Sequence, residues 1–243
     1  VREDKQKSWL GHIAEFLELW PEGDEGFSRI LVKQANNIQL SKRCLDPSLA
    51  TKELMQEAYC TITMSGTLSP VNMFADLLGI PADKRMAKEY PSPFPTQNRL
   101  ALVVPKTTTK FSQRSDTQFK TIAEHCAKIT NAIPGCSAIF FPSYQIRDTV
   151  NNAFSSLCSK TTFLEQPNMT KEQKQDFLDR FKKYQGSGAV LLAVASGSFG
   201  EGIDMPGVLK GVIIVGLPLD RPNLETQQLI EYYDKKFGKG WDY

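Results

Sequence analysis

The run AVLLAVASGSFGEGIDMPG, residues 189–207, decides the fold. Its first seven residues are apolar without a break, which is the pattern of a strand buried on both faces rather than one. Three glycines, Gly197, Gly200 and Gly202, then fall within six residues, beside the carboxylates Glu201 and Asp204. A glycine-rich loop that leaves a buried strand lets the backbone come close to something, often a phosphate.

Outward from this run the same alternation repeats. AIFF (138–141), TTFLE (161–165) and VIIVG (212–216) are further apolar strands, and TITM (61–64) and LALVV (100–104) read the same way. Between them lie helical patterns: VNMFADLLG (71–79), QFKTIAEHCAKITNAI (118–133) and YQIRDTVNNAFSSL (144–157). A further helix opens at Thr170 with Gln173 three residues on, a capping-box spacing, and LETQQLIEYYDKKFG (224–238) is the last. Upstream, FSRILVK (27–33) and IQLSKRCL (38–45) predict strands, and DPSLATKELMQEA (46–58) predicts a helix capped by Asp46. Apolar strands alternating with helices predict an α/β fold, a parallel sheet with helices on both faces. The segment KSWLGHIAEFLELW (7–20) is an amphipathic helix appended at the N-terminus, with two tryptophans that call for packing on something large.

Composition narrows the classes. The chain has 243 residues, 41% hydrophobic and 23% charged, with no apolar run near the roughly 20 residues that span a bilayer. The start, VREDKQKSWLGHI, lacks the layout of a secretory signal, so a soluble cytoplasmic protein with no membrane partner is expected. The five cysteines contain no CxxC pair and suggest buried thiols rather than a disulfide framework or a metal site. Lysine plus arginine exceed the acids by only 29 to 27, so any basic surface must be local. No GxxxxGK[ST] occurs, nor a GxGxxG opening a helix after the first strand, so the chain has no phosphate-gripping loop of its own.

In a parallel sheet ligands gather at the carboxyl ends of the strands, which singles out the loops there. In SGTLSP (65–70) the backbone and hydroxyls of Ser65, Gly66 and Thr67 can meet an anion or a neighbouring domain. The same residues suit an ordinary turn with Ser69 as cap and Pro70 first in the next helix. In FFPSYQIRDTV (140–150) Ser143 caps a helix whose first N–H groups face the ligand edge, and Tyr144 and Arg147 can extend that contact. A plain capped helix accounts for them equally. Asp204 can accept hydrogen bonds from hydroxyls or an arginine, or be simply solvated, as can Glu201.

Taken in order, MSGTLSP, FFPSYQ, GSFGEGIDMPG and VGLPLDRPN resemble the successive motifs of the second RecA-like domain of XPD-type superfamily 2 DNA helicases, the group that includes the DinG-type enzymes. The likeness runs from about Phe27 to the C-terminus. It implies a RecA-like sheet over residues 25–243, incomplete at its C-terminal end, with residues 1–24 as a helix returning from an inserted arch. It also implies the motor of an ATP-dependent 5′-to-3′ DNA helicase that uses ATP and Mg2+. The Walker loop and a 4Fe-4S cluster belong to a first RecA-like domain that this chain lacks, so the fragment alone is expected to be inactive.

Residue by residue, the resemblance assigns Ser65, Gly66 and Thr67 to coupling ATP state to domain closure, and Glu201, Gly202 and Asp204 to the ATP cleft. Ser143, Tyr144 and Arg147, with Ser196, Ser198, Phe199 and Gly200, fall to DNA. Where XPD-type sequences often read RGKxSEGID, this chain has Ser196, Gly197, Ser198, Phe199 and Gly200 before Glu201, a version nearer the DinG type that leaves amides and hydroxyls to meet phosphate. The implied partners are single-stranded DNA, the first RecA-like domain and repair-complex proteins, and the location is nuclear if the source is eukaryotic. The competing reading is a RecA-like module that holds nucleic acid or a partner without catalysis.

Overall fold

The computed structural model describes residues 8–23, 25–219 and 223–242. They form two compact units, one drawn from residues up to 98 together with those from 223 onward, the other from residues 99–219. The C-terminal residues thus belong with the early part of the chain.

The second unit holds the parallel sheet. Strands β3 (Cys136–Phe141), β4 (Thr161–Leu164), β5 (Ala189–Val194) and β6 (Leu209–Ile214) lie in the order β4-β5-β3-β6, every neighbouring pair parallel. All six residues of β5 are buried, whereas β6, at the edge, alternates between half-buried and exposed positions on its two faces. Helices α4 (Asp116–Ala132) and α5 (Tyr144–Leu157) cover one face with Ile122, Cys126, Ile146, Val150 and Phe154 against Ile139, Phe141, Val190 and Leu192. Helix α6 (Lys171–Lys182) covers the other, where Phe163 meets Phe177, Phe181 and Tyr184 edge-on at 5.3–5.5 Å. The α/β reading with helices on both faces therefore holds. So does the capping box, since Gln173 N–H donates to Thr170 Oγ1 and Thr170 N–H to Gln173 Oε1.

The first unit is built differently. Strands β1 (Phe27–Gln34) and β2 (Asn37–Cys44) pair with each other in an antiparallel hairpin and not with the parallel sheet. Helices α1 (Trp9–Leu19), α2 (Ser48–Glu57), α3 (Val71–Leu77) and α7 (Leu224–Phe237) complete it. The two predicted strands TITM and LALVV run as exposed chain outside any ladder, and a strand exists only where a neighbour takes its hydrogen bonds. Ser69 does not cap α3, which starts one residue later from Pro70, across a cis Ser69–Pro70 bond. Asp46 lies one residue before the N-cap Pro47, although its Oδ1 still accepts from the Ser48 N–H at 3.1 Å. No residue of α1 is buried and Trp9 is 87% exposed, whereas Trp20, just past the end of α1, is half-buried with its ring centre 5.5 Å from that of Phe16. Cys126 and Cys136 are buried, and burial pushes the Cys126 thiol up to about 12, but Cys44 and Cys60 are exposed, against the expectation for most of the five.

Asp46 is the polar centre of the first unit. Its buried carboxylate accepts from Ser48 Oγ at 2.6 Å, Tyr232 Oη at 2.7 Å and Lys236 Nζ at 2.6 Å, the last two from α7. Burial by itself raises its pKa, but the bonds from Lys236, Ser48 and Tyr232 outweigh burial and hold the group at about 2.

Two expected outcomes follow from these contacts. Phe181→Ala, which empties a fully buried ring site, lowers unfolding free energy by about 3–5 kcal/mol in urea titration. Because the folded pKa of Asp46 lies below its unfolded value, its contribution is present above pH 4 and lost as pH falls toward 2. Asp46→Asn should thus cost about 2 kcal/mol at pH 7, and the gap to wild type should narrow through that window in thermal unfolding measured at stepped pH.

Candidate functional site

The carboxyl ends of β3, β4 and β5 meet at one edge of the sheet, and the loops leaving them are tied together. After β3 the chain turns at Ser143, whose Oγ accepts from the Ile146 N–H at 3.3 Å and caps the fourteen-residue α5. After β5 the Ala195 N–H continues the ladder to the Phe141 carbonyl at 2.9 Å, so this loop starts against the end of β3.

At the centre is Glu165, the first residue after β4, which sequence reasoning passed over as the last letter of a strand. It is fully buried. Its Oε2 accepts from the Val194 N–H at 2.7 Å, and its Oε1 accepts from the Tyr144 hydroxyl at 3.2 Å and from the Ser198 N–H. Its backbone N–H donates to the Leu192 carbonyl at 3.0 Å, and its own carbonyl accepts from Arg147 Nη1. A buried carboxylate is tolerated only when its acceptor sites are taken up, and here donors from two loops take them. The available signal was an acid at the end of an apolar strand, where a buried position demands partners.

Tyr144 remains a neutral phenol and hydrogen-bond donor, because burial and then the Glu165 carboxylate raise its pKa against the opposing pull of Arg147. The Arg147 guanidinium lies 4.9 Å from the Tyr144 ring centre and binds Asp148 Oδ1 at 2.6 Å. It is 4% exposed, so its charge faces inward to the Glu165 carbonyl instead of outward to a ligand. Phe199 is fully buried as well, stacked on Phe177 at 4.9 Å. The side chains of Arg147 and Phe199 are therefore corrected from ligand-facing groups to supports of the loops that carry them.

Two of the glycines serve the loop's own packing. A Cβ at Gly197 would run into the Glu165 carboxylate, with Oε2 only 2.7 Å away, and one at Gly200 would overlap the Ala195 carbonyl. The close approach inferred from these glycines is thus to the protein's own acceptors. What faces solvent is Ser196, Gly200, Glu201, Gly202 and Asp204, with Ser143, Tyr144, Gly197 and Ser198 half-buried beside them. Ser65, Gly66 and Thr67 belong to the first unit, where they form an exposed turn: the Thr67 N–H donates to Ser65 Oγ at 3.2 Å.

A nucleotide does not fit the residues of this chain alone. The loops offer hydroxyls, amides and the two exposed carboxylates Glu201 and Asp204, but no lysine-bearing phosphate cradle. Among the described residues no helix is long and apolar enough to cross a membrane.

Residues 126–243 match the family model of the helicase C-terminal domain. Over 261 residues the chain is 28% identical to the ATP-dependent DNA helicase chl1 of Aspergillus clavatus, covering 95% of this chain and 35% of that protein. It is 26% identical to the general transcription and DNA repair factor IIH helicase subunit XPD/RAD3 of Saccharomyces cerevisiae, covering 90% of this chain and 30% of that subunit. The chain thus spans about a third of the length of these relatives. The solved structure named XPD_APO shares the fold with a TM-score of 0.61 over 94% of this chain and 45% of its own, at 23% identity. A second, XPD_Helicase, gives 0.59 over 91% and 39%, also at 23%.

The packing at this edge carries its own expected outcome. Gly197→Ala forces a methyl group against the Glu165 carboxylate and should lower unfolding free energy by about 1–3 kcal/mol in denaturant titration, whereas Ser196→Ala, at an exposed position, should change it by less than about 0.5 kcal/mol.

Proposed function

We propose that this chain is a second RecA-like domain of the XPD-type superfamily 2 helicases, one half of an ATP-dependent DNA helicase motor, and that it grips single-stranded DNA along the loops after β3 and β5. The supporting observation is the pairing of those loops at one sheet edge. The N-terminus of α5, capped by Ser143, and the Ser196–Gly200 segment stand side by side there, offering hydroxyls and backbone N–H groups. Such groups read phosphate and sugar without regard to base, which is what a motor moving along any sequence requires. The inward turn of Arg147 fits this reading, since it leaves backbone dipoles and hydroxyls as the contact groups.

Glu201, Gly202 and Asp204 continue the same loop and line the side assigned to the ATP cleft, where the first RecA-like domain of the full-length protein supplies the phosphate cradle and Mg2+. Ser65, Gly66 and Thr67 are assigned to coupling nucleotide state to domain closure. A 5′-to-3′ direction, a 4Fe-4S cluster in the first domain and a role in DNA repair complete the proposal, resting on the likeness to XPD-type enzymes and on the repair factor named among the relatives.

The test is single-strand DNA binding by the full-length protein, followed by fluorescence anisotropy at two salt concentrations. Ser143→Asp keeps a capping oxygen but adds a negative charge, and Ser196→Glu adds one at an exposed position. Each should weaken single-strand binding by roughly tenfold, with thermal unfolding almost unchanged. Unaltered binding by both variants would overturn the DNA assignment and leave a partner-binding module as the better reading.

A further inference from the structure

Glu165 lies outside every motif that the helicase reading uses, yet its bonds reach both loops that the reading assigns to DNA. From the first it takes the Tyr144 hydroxyl on its carboxylate and the Arg147 guanidinium on its carbonyl. From the second it takes the Val194 and Ser198 N–H groups. The second loop wraps the carboxylate so closely that a Cβ at position 197 would run into it. Neither loop has another side chain that binds both among the described residues of this edge.

The chemistry of the acceptor matters as much as its place. Each carboxylate oxygen accepts from one backbone N–H, a group that donates and cannot accept, Val194 on Oε2 and Ser198 on Oε1, and the neutral Tyr144 phenol adds a third donor on Oε1. An amide of the same shape would turn an NH2 toward one of those donors, leaving a buried N–H opposed by another. A shorter carboxylate would draw back from one loop while keeping its bonds to the other. The site thus specifies a glutamate by charge and by length.

We infer that Glu165 is a positioning residue that locks the Ser143–Arg147 and Ser196–Gly200 loops to one another, so that the two grip a DNA strand as a single surface and move together. This rests on the DNA assignment proposed above. Glu165 itself touches no DNA, because it is fully buried. Its effect passes through the Tyr144 hydroxyl on one side and the Ser198 amide on the other, and from Ser198 the chain continues within three residues to Glu201 on the side assigned to nucleotide.

The experiment measures the single-stranded DNA concentration that half-saturates ATP hydrolysis by the full-length protein, alongside thermal unfolding, with a synthetic oligonucleotide as the probe. Glu165→Gln should raise that concentration roughly tenfold, and Tyr144→Phe, which removes one bond and little volume, should raise it by about threefold. The double variant should be no worse than Glu165→Gln alone, because both act through one linkage. Phe181→Ala, in the packing on the other face of the sheet, should lower the unfolding temperature at least as much while leaving the half-saturating concentration unchanged.

If Glu165→Gln and Tyr144→Phe shift DNA dependence no more than Phe181→Ala does, the linkage is only structural and the inference is overturned, while the helicase reading stands as long as Ser143→Asp still weakens binding. If Glu165→Gln fails to fold, Tyr144→Phe decides the matter alone by the same comparison. Should Ser143→Asp and Ser196→Glu also leave DNA binding intact, the DNA assignment falls and this inference with it.

Discussion

A strand buried at all six of its positions can send its backbone hydrogen bonds nowhere but to neighbours on both sides, and β5 is such a strand. It pairs with β3 on one side and β4 on the other, in parallel, so each connection must cross a face of the sheet before the next strand begins. That requirement places α5 on one face and α6 on the other, and their apolar sides close the two halves of the core. It also delivers the ends of three strands to the same edge, which is why loops distant in sequence stand together there.

The edge then meets a second constraint. Loops that leave a buried sheet carry polar groups partly out of water, and those groups must find partners within the protein. Glu165 supplies them, with a carboxylate that takes up two backbone N–H groups and a phenol. Arg147, whose charge would be costly in the interior, spends it on the Glu165 carbonyl and on Asp148. The outcome is a contact surface made of hydroxyls and amides over a charged, fully bonded interior. Under the proposed DNA contact, a surface of that kind would hold a phosphate backbone by geometry rather than by net charge, in a chain whose basic and acidic residues nearly balance.

The first unit solves the same problem with a different residue. Asp46 gathers Ser48, Tyr232 and Lys236, which joins the start of α2 to α7 across nearly the whole length of the chain. Tyr232 is correspondingly held as a phenol, its pKa raised first by burial and then by the Asp46 carboxylate. In both units one buried acid binds donors from segments far apart in sequence, and in both the acid's value lies in the number of donors it satisfies.

What the sequence by itself determined is whatever depends on neighbours along the chain. The apolar runs at residues 138–141 and 189–195 marked β3 and β5, the Thr170–Gln173 spacing marked the start of α6, and the motif order from MSGTLSP to GIDMPG pointed to the family. Local periodicity and capping are properties of a few consecutive residues, so they can be read in one dimension. TITM and LALVV show the limit: both have the composition of strands, but a strand needs a partner, and the partner is chosen in three dimensions. The same limit explains the site. Glycines at 197 and 200 announced a close approach without saying to what, and Arg147 and Phe199 looked like surface groups because the loop's path was unknown. Only the tertiary structure, by bringing the end of β4 between the loops after β3 and β5, decided that Gly197 approaches Glu165 while Gly200 approaches the Ala195 carbonyl, because hydrogen-bond satisfaction of a buried acid depends on which chain segments meet and not on their order.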